Sequence, residues 1–352
     1  MSEQISRVEI KGKRHYQVKK DNDIIGTFPS VTTILSATSD KSGLDRWRKK
    51  VGEAEANRIS TLSMNRGTVM HRLVELYKPL AGDKKEKLNQ LKELAKTDEE
   101  IIEFDQEFIN EGWTMFYKFY TNSSQYFDRV ARVIESETFL WSSKAGGYAG
   151  TVDNISEMTD GKILIIDYKN SRKPKREDWI QDYYIQAAAY YIAYWERTGT
   201  KADGIEIWIA NEIDYCPQTF TLSAEDIKYY FKEFTNRLNK YKEQLEDRWQ
   251  YHYPPYYRLV KITLKHKDYQ KVDAGIIWLS KALQNVFREH VLGPSEPAVS
   301  RIRNQYIKNV MIKIPPKQSL GKTKQEIDKI KNTFQAIADF RPIRFIIDVD
   351  AY

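Results

Sequence analysis

The 352-residue sequence has a single cysteine, Cys216. One thiol excludes an internal disulfide framework and any four-thiolate zinc or iron–sulfur site. No window holds the roughly 18 consecutive apolar residues that a spanning helix needs, so no membrane partner is expected. The opening MSEQISRVEI lacks the apolar core of a secretion signal and is too acidic for an Arg-rich transit peptide, which points to the cytoplasm. Gly/Ser linkers, low-complexity tracts and internal repeats are also missing. GKTKQE at Gly321 lacks the upstream glycine of a phosphate-binding loop, so no nucleotide cofactor is expected.

What is present is ordinary for a globular chain: 41% hydrophobic residues, 30% charged, mean hydropathy −0.64. The length exceeds what one hydrophobic core usually organises and predicts two domains. The net charge of +7 is unevenly spread: from Arg248 onward 19 Lys and Arg face 9 Asp and Glu, which leaves residues 1–247 slightly acidic. A basic module on an acidic one suggests that the module meets a polyanion, although a basic surface also serves solubility alone.

Hydrophobic periodicity predicts the elements. Residues 8–35 read as a β-hairpin, a turn at DNDIIG and a loop through PSVTTIL. LDRWRKKVGEAEANRIS and MNRGTVMHRLVELYKPL read as helix, KKEKLNQLKELAK as an exposed helix or loop. An amphipathic helix around IIEFDQEFINEGWTMFYKFYTN offers Phe104, Phe108, Trp113, Phe116 and Phe119 to a core. The period then changes to that of strands in VARVIESETFLWSS, YAGTVDNISEMT and KILIIDYKN. A helix stopped at Gly199, two strands and the long helix AEDIKYYFKEFTNRLNKYKEQLED follow. That long helix closes the first domain, 1–247, and Pro254 and Pro255 end it. Residues 248–352 read β-α-β-β-α-β, a ferredoxin-like split unit, with a strand pair in VSRIRNQYIKNVMIKIP broken near Asn304.

The chemistry concentrates in the central strands. Alternation places Asp167 and Lys169 on one face of IIDYKN and Tyr168 on the other, and the preceding strand brings in Asp153. Two neighbouring carboxylates repel unless a hard divalent cation bridges them, and a lysine beside them can stabilise an anionic transition state. The set suits metal-assisted phosphodiester hydrolysis without a covalent intermediate; taken alone, D-x-K is also an ordinary surface ion pair. His71 and Glu75 share a helix face at i, i+4, as do Gln186 and Tyr190.

The ordered set RGT-xx-H, GTVD, IIDYK and Q-xxx-Y, with PSVTTIL, Arg46–Trp47 and VIES, resembles the PD-(D/E)xK nuclease superfamily. The likeness is to its RecB-like exonuclease branch, near the mitochondrial genome maintenance exonuclease group and related phage or bacterial proteins, over about residues 25–245. It implies a restriction-endonuclease-like mixed α/β sheet flanked by helices and a Mg²⁺- or Mn²⁺-dependent exonuclease acting on single-stranded DNA ends in repair, replication or recombination. Site by site it implies His71, Asp153, Asp167 and the Tyr168 carbonyl as metal ligands and Lys169 as the catalytic lysine. Gln186 and Tyr190 would steady the site, and Glu75 and Glu135 are further acidic candidates. It also implies DNA contacts from Ser30, Thr32, Thr33, Arg66 and Ser171. The four-cysteine iron–sulfur clamp of some RecB-like nucleases is ruled out by the lone Cys216.

YPPYYRL, ITLKHKD, VLGPSEPAVSRIRNQY and IDVDAY resemble the C-terminal domain of the primosomal replication-restart helicase. That likeness implies binding of branched or single-stranded DNA and contact with single-strand-binding protein. Arg258, Lys261, Lys265, Arg301, Arg303 and Lys308, interleaved with Tyr256, Tyr257 and Tyr306, are the expected DNA contacts, charges for phosphates and rings for bases. Two other functions fit the same residues: a retired nuclease fold acting as a DNA-binding adaptor at replication forks, and a structure-specific endonuclease.

Overall fold

The computed structural model describes residues 3–10, 12–21, 23–213 and 216–350. The chain divides into two compact units, Met1–Tyr241 and Lys242–Tyr352.

The first unit opens with an antiparallel meander, β1 (Glu3–Ile10), β2 (Lys13–Lys20) and β3 (Asp23–Pro29). This corrects the expected hairpin and loop. Most of the anticipated turn belongs to β3 (Asn22 lies outside the described residues), and VTTIL starts α1 (Val31–Thr38). The β-branched run conceals a helix that Ser30 initiates, its hydroxyl accepting the Thr33 amide at 3.0 Å.

α2 (Ser42–Val51) and α3 (Glu53–Tyr77) are separated at Gly52. α4 (Lys84–Ala95) forms as a helix behind a capping box of Asp83 and Glu86, and the one-turn α5 (Glu99–Ile102) and α6 (Gln106–Thr121) follow. Val69, Met70, Leu73 and Val74 of α3 pack with Met115, Phe116 and Phe119 of α6 in one buried cluster. Phe104 and Trp113 join it at its edge, whereas Phe108 is half-buried and outside it.

The main sheet runs β4 (Val130–Ser142), β5 (Tyr148–Met158), β6 (Ile163–Ser171), β7 (Gly204–Asn211) and β8 (Gln218–Leu222), in that spatial order. Only β6 and β7 are parallel. A parallel pair cannot be joined by a tight turn, so the chain crosses a sheet face as α7 (Gln181–Thr198). Gly199 ends that helix in the left-handed region, φ 71°. α8 (Ala224–Gln250) follows.

The second unit contains β9 (Arg258–His266), α9 (Tyr269–Phe287), β10 (Val291–Ser295), β11 (Arg301–Ile302), β12 (Gln305–Ile314), α10 (Leu320–Ala336) and β13 (Arg344–Val349). Its sheet is antiparallel throughout, ordered β10-β12-β9-β13, with β11 folded onto β12 as a two-residue hairpin arm. That is the split β-α-β-β-α-β arrangement. Its second strand, however, is β10, not VSRIRN. The glycine and proline of VLGPS hide a strand that tolerates them because it lies at the sheet edge beside a bulge. Val260, Ile262, Leu264, Val310 and Ile312 share a core with Ile276, Leu279 and Leu283 of α9 and Phe334 of α10. Among the described residues no helix is long and apolar enough to cross a membrane.

Candidate active site

β5 and β6 pair from Glu157 and Ile163 only as far as Asn154 and Ile166. Past that point the Tyr168 amide donates to Asp153 Oδ2 instead, at 2.8 Å. The splayed strands therefore present a carboxylate where a ladder bond would otherwise form. Alternation along β6 sends Leu164, Ile166 and Tyr168 into the core shared with α3 and α6. Asp167 and Lys169 take the other face, where Gln186 of α7 lies 3.5 Å from Asp167 Oδ1.

His71 on α3 reaches the same place. Its Nδ1 lies 3.6 Å from Asp153 Oδ2, and its ring meets the Tyr168 ring edge-on, 6.0 Å between centroids. Glu137 of β4 completes a group of three: His71, Glu137 and Asp153 each offer a ligand atom, all within 4.8 Å of one another. One imidazole nitrogen with carboxylate oxygens is a donor set that fits Mg²⁺ or Mn²⁺.

Glu137 escapes the sequence pattern. VIES points to Glu135, but Glu135 instead accepts the Thr138 hydroxyl at 2.7 Å and lies outside the ligand group. In VIESETF the two glutamates are two residues apart, so regular alternation cannot separate them. The backbone differs between them: Glu137 has φ 48°, whereas the register against β5 shifts before both, between Val133 and Glu135. A left-handed conformation at a non-glycine residue is held only by its surroundings. The acidic pair in a strand is the only signal of it that the sequence carries.

The electrostatics match a site built for a cation. Desolvation, with the Asp153 and Glu75 carboxylates close by, pushes the Glu137 carboxyl up to about 8, although part of the residue is open to solvent. Desolvation holds the His71 imidazole below its usual range against the pull of Asp153, which favours the neutral ring whose one unprotonated nitrogen a ligand requires. Asp167 is 1% exposed and forms an ion pair with Lys169. Burial raises the Asp167 carboxyl against the attraction of that lysine. Burial also opposes the charge on Lys169, but Asp167 and Asp153 outweigh it and raise the ammonium above its ordinary value. Lys169 thus stays cationic beside the carboxylates. Asp167 flanks the three-residue group without belonging to it.

α7 supplies the remaining support. Gln186 Nε2 lies 3.3 Å from the Tyr190 hydroxyl, linking both residues to Asp167. Tyr190 lies against Gly150 of GTVD, where an added Cβ would fall 2.6 Å from the ring. Gly67 of RGT plays the same part for α3: a Cβ there would meet the Asn170 amide at 2.4 Å. Both glycines let an element carrying site residues approach the sheet.

The other expected contacts divide. Thr32 is exposed and lines a cavity of about 640 Å³ together with Ser30, His71, Glu75, Glu137, Asp153, Gln186 and Tyr190. Thr33 holds Ser30 and the Arg14 carbonyl. Glu75 is paired with Arg72 at 2.7 Å. Arg66 is a correction. It is 2% exposed and bonded to Asn170 and Glu212, so it ties α3 to the sheet and cannot meet DNA. Ser171 is likewise buried, its hydroxyl donating to the Lys173 carbonyl at 2.6 Å. In the second unit Arg258 is paired with Asp350 at 2.7 Å, and Lys308 with Asp273 and Glu296. Lys261 and Lys265 are half-buried on β9, with Lys261 opposite Asp348 of β13. Arg301 lies 4.8 Å from the Tyr306 ring, and Arg303 sits in the β11–β12 turn.

Residues 43–257 match the family model of the PD-(D/E)XK nuclease superfamily. The chain belongs to that superfamily. Residues 250–352 of this nuclease-superfamily chain match a second family model, the primosomal protein N C-terminal domain. Among solved structures it is similar to a Eubacterium rectale protein described as a "putative exonuclease", at 13% identity and a TM-score of 0.30, covering 45% of this chain and 61% of that one. A second structure, described as SSO0001, is similar at 11% identity and a TM-score of 0.27, covering 50% of this chain and 84% of the other. The chain thus spans about three fifths of the first of these structures. No curated protein matches it.

Proposed function

We propose that the first unit is a Mg²⁺- or Mn²⁺-dependent deoxyribonuclease that degrades single-stranded DNA from its ends, in repair, replication or recombination, and that residues 248–352 form a second, basic domain that binds DNA. One observation carries this: side chains from α3, β4 and β5 bring three metal-ligand atoms within 4.8 Å of one another, beside a buried Asp–Lys pair. His71, Glu137 and Asp153 would hold the cation, with Asp167 and the Tyr168 carbonyl at its flank. A bound divalent cation neutralises phosphate charge and makes water a better nucleophile. Lys169 keeps its proton and offers a fixed positive charge to the phosphoryl oxygens as their charge grows. Gln186 and Tyr190 hold Asp167 in place.

Linear single strands labelled at one end and blocked at the 5′ or 3′ terminus, with circular single strands beside them, test the reading in Mg²⁺, in Mn²⁺ and in a chelator. Expected is cation-dependent loss of the linear strands from one unblocked end, with circles intact. Cut circles would make the protein an endonuclease, and intact linear strands in both metals would leave a binding protein. The organism-level setting, a bacterial or phage cytoplasm with single-strand-binding protein as partner, belongs to the same proposal.

A further inference from the structure

The family match begins at residue 43, yet the cavity over the ligand group is closed on one side by residues that precede it. β1 and β2 contribute Arg7, Arg14 and Tyr16 to the lining. Arg7 lies directly opposite Tyr16 in the β1–β2 register, and Arg14 is two residues from Tyr16 on the same strand, so all three share one face.

Tyr16 anchors that face to the main sheet. It is 2% exposed, and its hydroxyl lies 3.1 Å from the Thr151 hydroxyl of β5. Thr151 is two residues before Asp153 and pairs in register with Phe139, itself two residues beyond Glu137. The Tyr16 and Phe139 rings are 5.4 Å apart, and Phe139 remains 40% exposed at the cavity. The meander is thus fixed one strand repeat, about 7 Å, from the metal-ligand group.

Charge decides what this face receives. The third arginine of the lining, Arg72, is taken up by Asp98 at 2.8 Å and Glu75 at 2.7 Å. Arg7 and Arg14 form no ion pair with any described residue, not even Arg14 with Glu9 opposite it in register. Two unneutralised guanidiniums beside an exposed ring, facing a cavity otherwise rich in carboxylates, suit a ligand that alternates anionic and aromatic groups.

We propose that β1 and β2 grip single-stranded nucleic acid next to the bond that is cut: Arg7 and Arg14 hold backbone phosphates neighbouring the scissile one, and Phe139 stacks on a base. This rests on the nuclease reading and adds a substrate-positioning element from outside the matched family region. The arginines would also offset the repulsion between the incoming strand and the acidic floor.

The test uses the full chain and a short oligothymidylate in two assays. One is equilibrium binding with Ca²⁺ in place of Mg²⁺, at several salt concentrations. The other is steady-state cleavage with Mg²⁺. The double variant Arg7→Gln/Arg14→Gln should weaken binding about tenfold or more. Its log–log salt slope should fall by about 0.7 for each phosphate that is no longer neutralised, and KM should rise more than kcat falls. Arg7→Lys/Arg14→Lys should recover the salt slope. Phe139→Leu should weaken binding without changing the slope. Unchanged KM, affinity and slope in the double variant, with a thermal transition like that of wild type, would overturn the proposal while the nuclease reading stood. A wild-type chain that binds with the predicted arginine dependence but never cleaves would overturn the nuclease reading and leave the grip in place.

Discussion

The two units carry opposite charge and use it in opposite ways. In the first, slightly acidic overall, three ligand groups are pressed within 4.8 Å of one another. In the second, formally strongly basic, some cations are spent locally: Arg258 on Asp350, Lys308 on Asp273 and Glu296. Others are exposed, among them Arg301 and Arg303 at the β11–β12 hairpin. Net charge therefore says little about where either unit meets a ligand. What matters is which charges the fold leaves without an internal partner.

The sharpest way to break this comparison is to remove the chemistry from the first unit and ask whether DNA binding survives. Lys169→Ala and Asp153→Asn should each lower single-turnover cleavage of single strands by about 10²–10³-fold or more, while full-length affinity stays close to wild type. Equal loss of cleavage and binding in both variants would mean that these residues support folding.

Glu137→Gln and Glu135→Gln ask whether the left-handed residue or the motif decides the ligand. The first should raise the Mn²⁺ concentration for half-maximal cleavage by about 10–100-fold, and the second should leave it unchanged. A reversed order would restore the residue that the sequence pattern favours.

In the second unit, Arg301→Gln with Arg303→Gln should flatten the salt dependence of full-length DNA binding by about 0.7 per neutralised phosphate, with cleavage of short strands unaffected. An unaltered slope would assign that hairpin to something other than phosphate. The smallest effect sharpens the packing account. Gly150→Ala places a Cβ against Tyr190 and should cost about 1–3 kcal/mol in a denaturant titration. No change in stability would mean that α7 yields more readily than its packing suggests.

Much of this is legible in the sequence, for identifiable reasons. The strands bearing Asp153, Asp167 and Lys169, and the helices bearing His71, Gln186 and Tyr190, have strong periodicity and sharp glycine stops. Local pattern and tertiary role coincide there. Arg66 misleads because an arginine in a motif suggests phosphate, and its burial against Asn170 and Glu212 depends on chain more than a hundred residues away. Glu137 stays hidden because a single left-handed residue defeats a two-residue period. The helix at VTTIL and the edge strand at VLGPS are concealed by propensity, which a serine cap in one case and an edge position in the other override.

The bulge between Val133 and Glu135 also makes β4 a counting device. In an unbroken strand every residue's face is set by parity, and adding or removing one residue exchanges the two faces for everything on one side of the change. The bulge absorbs one such exchange within the strand. Arg132–Val133 and Glu135–Ser142 are therefore phased independently, each segment keeping its own pairing with β5. Deleting Ile134 would not simply shorten the strand. It would put the two segments back in a single phase and turn either Arg132 and Val133 or the residues from Glu135 onward to the wrong side. Chain length in this strand is thus as tightly specified as the identity of its acidic residue, and a homologue with one residue more or fewer here would have to take its carboxylate from a different position.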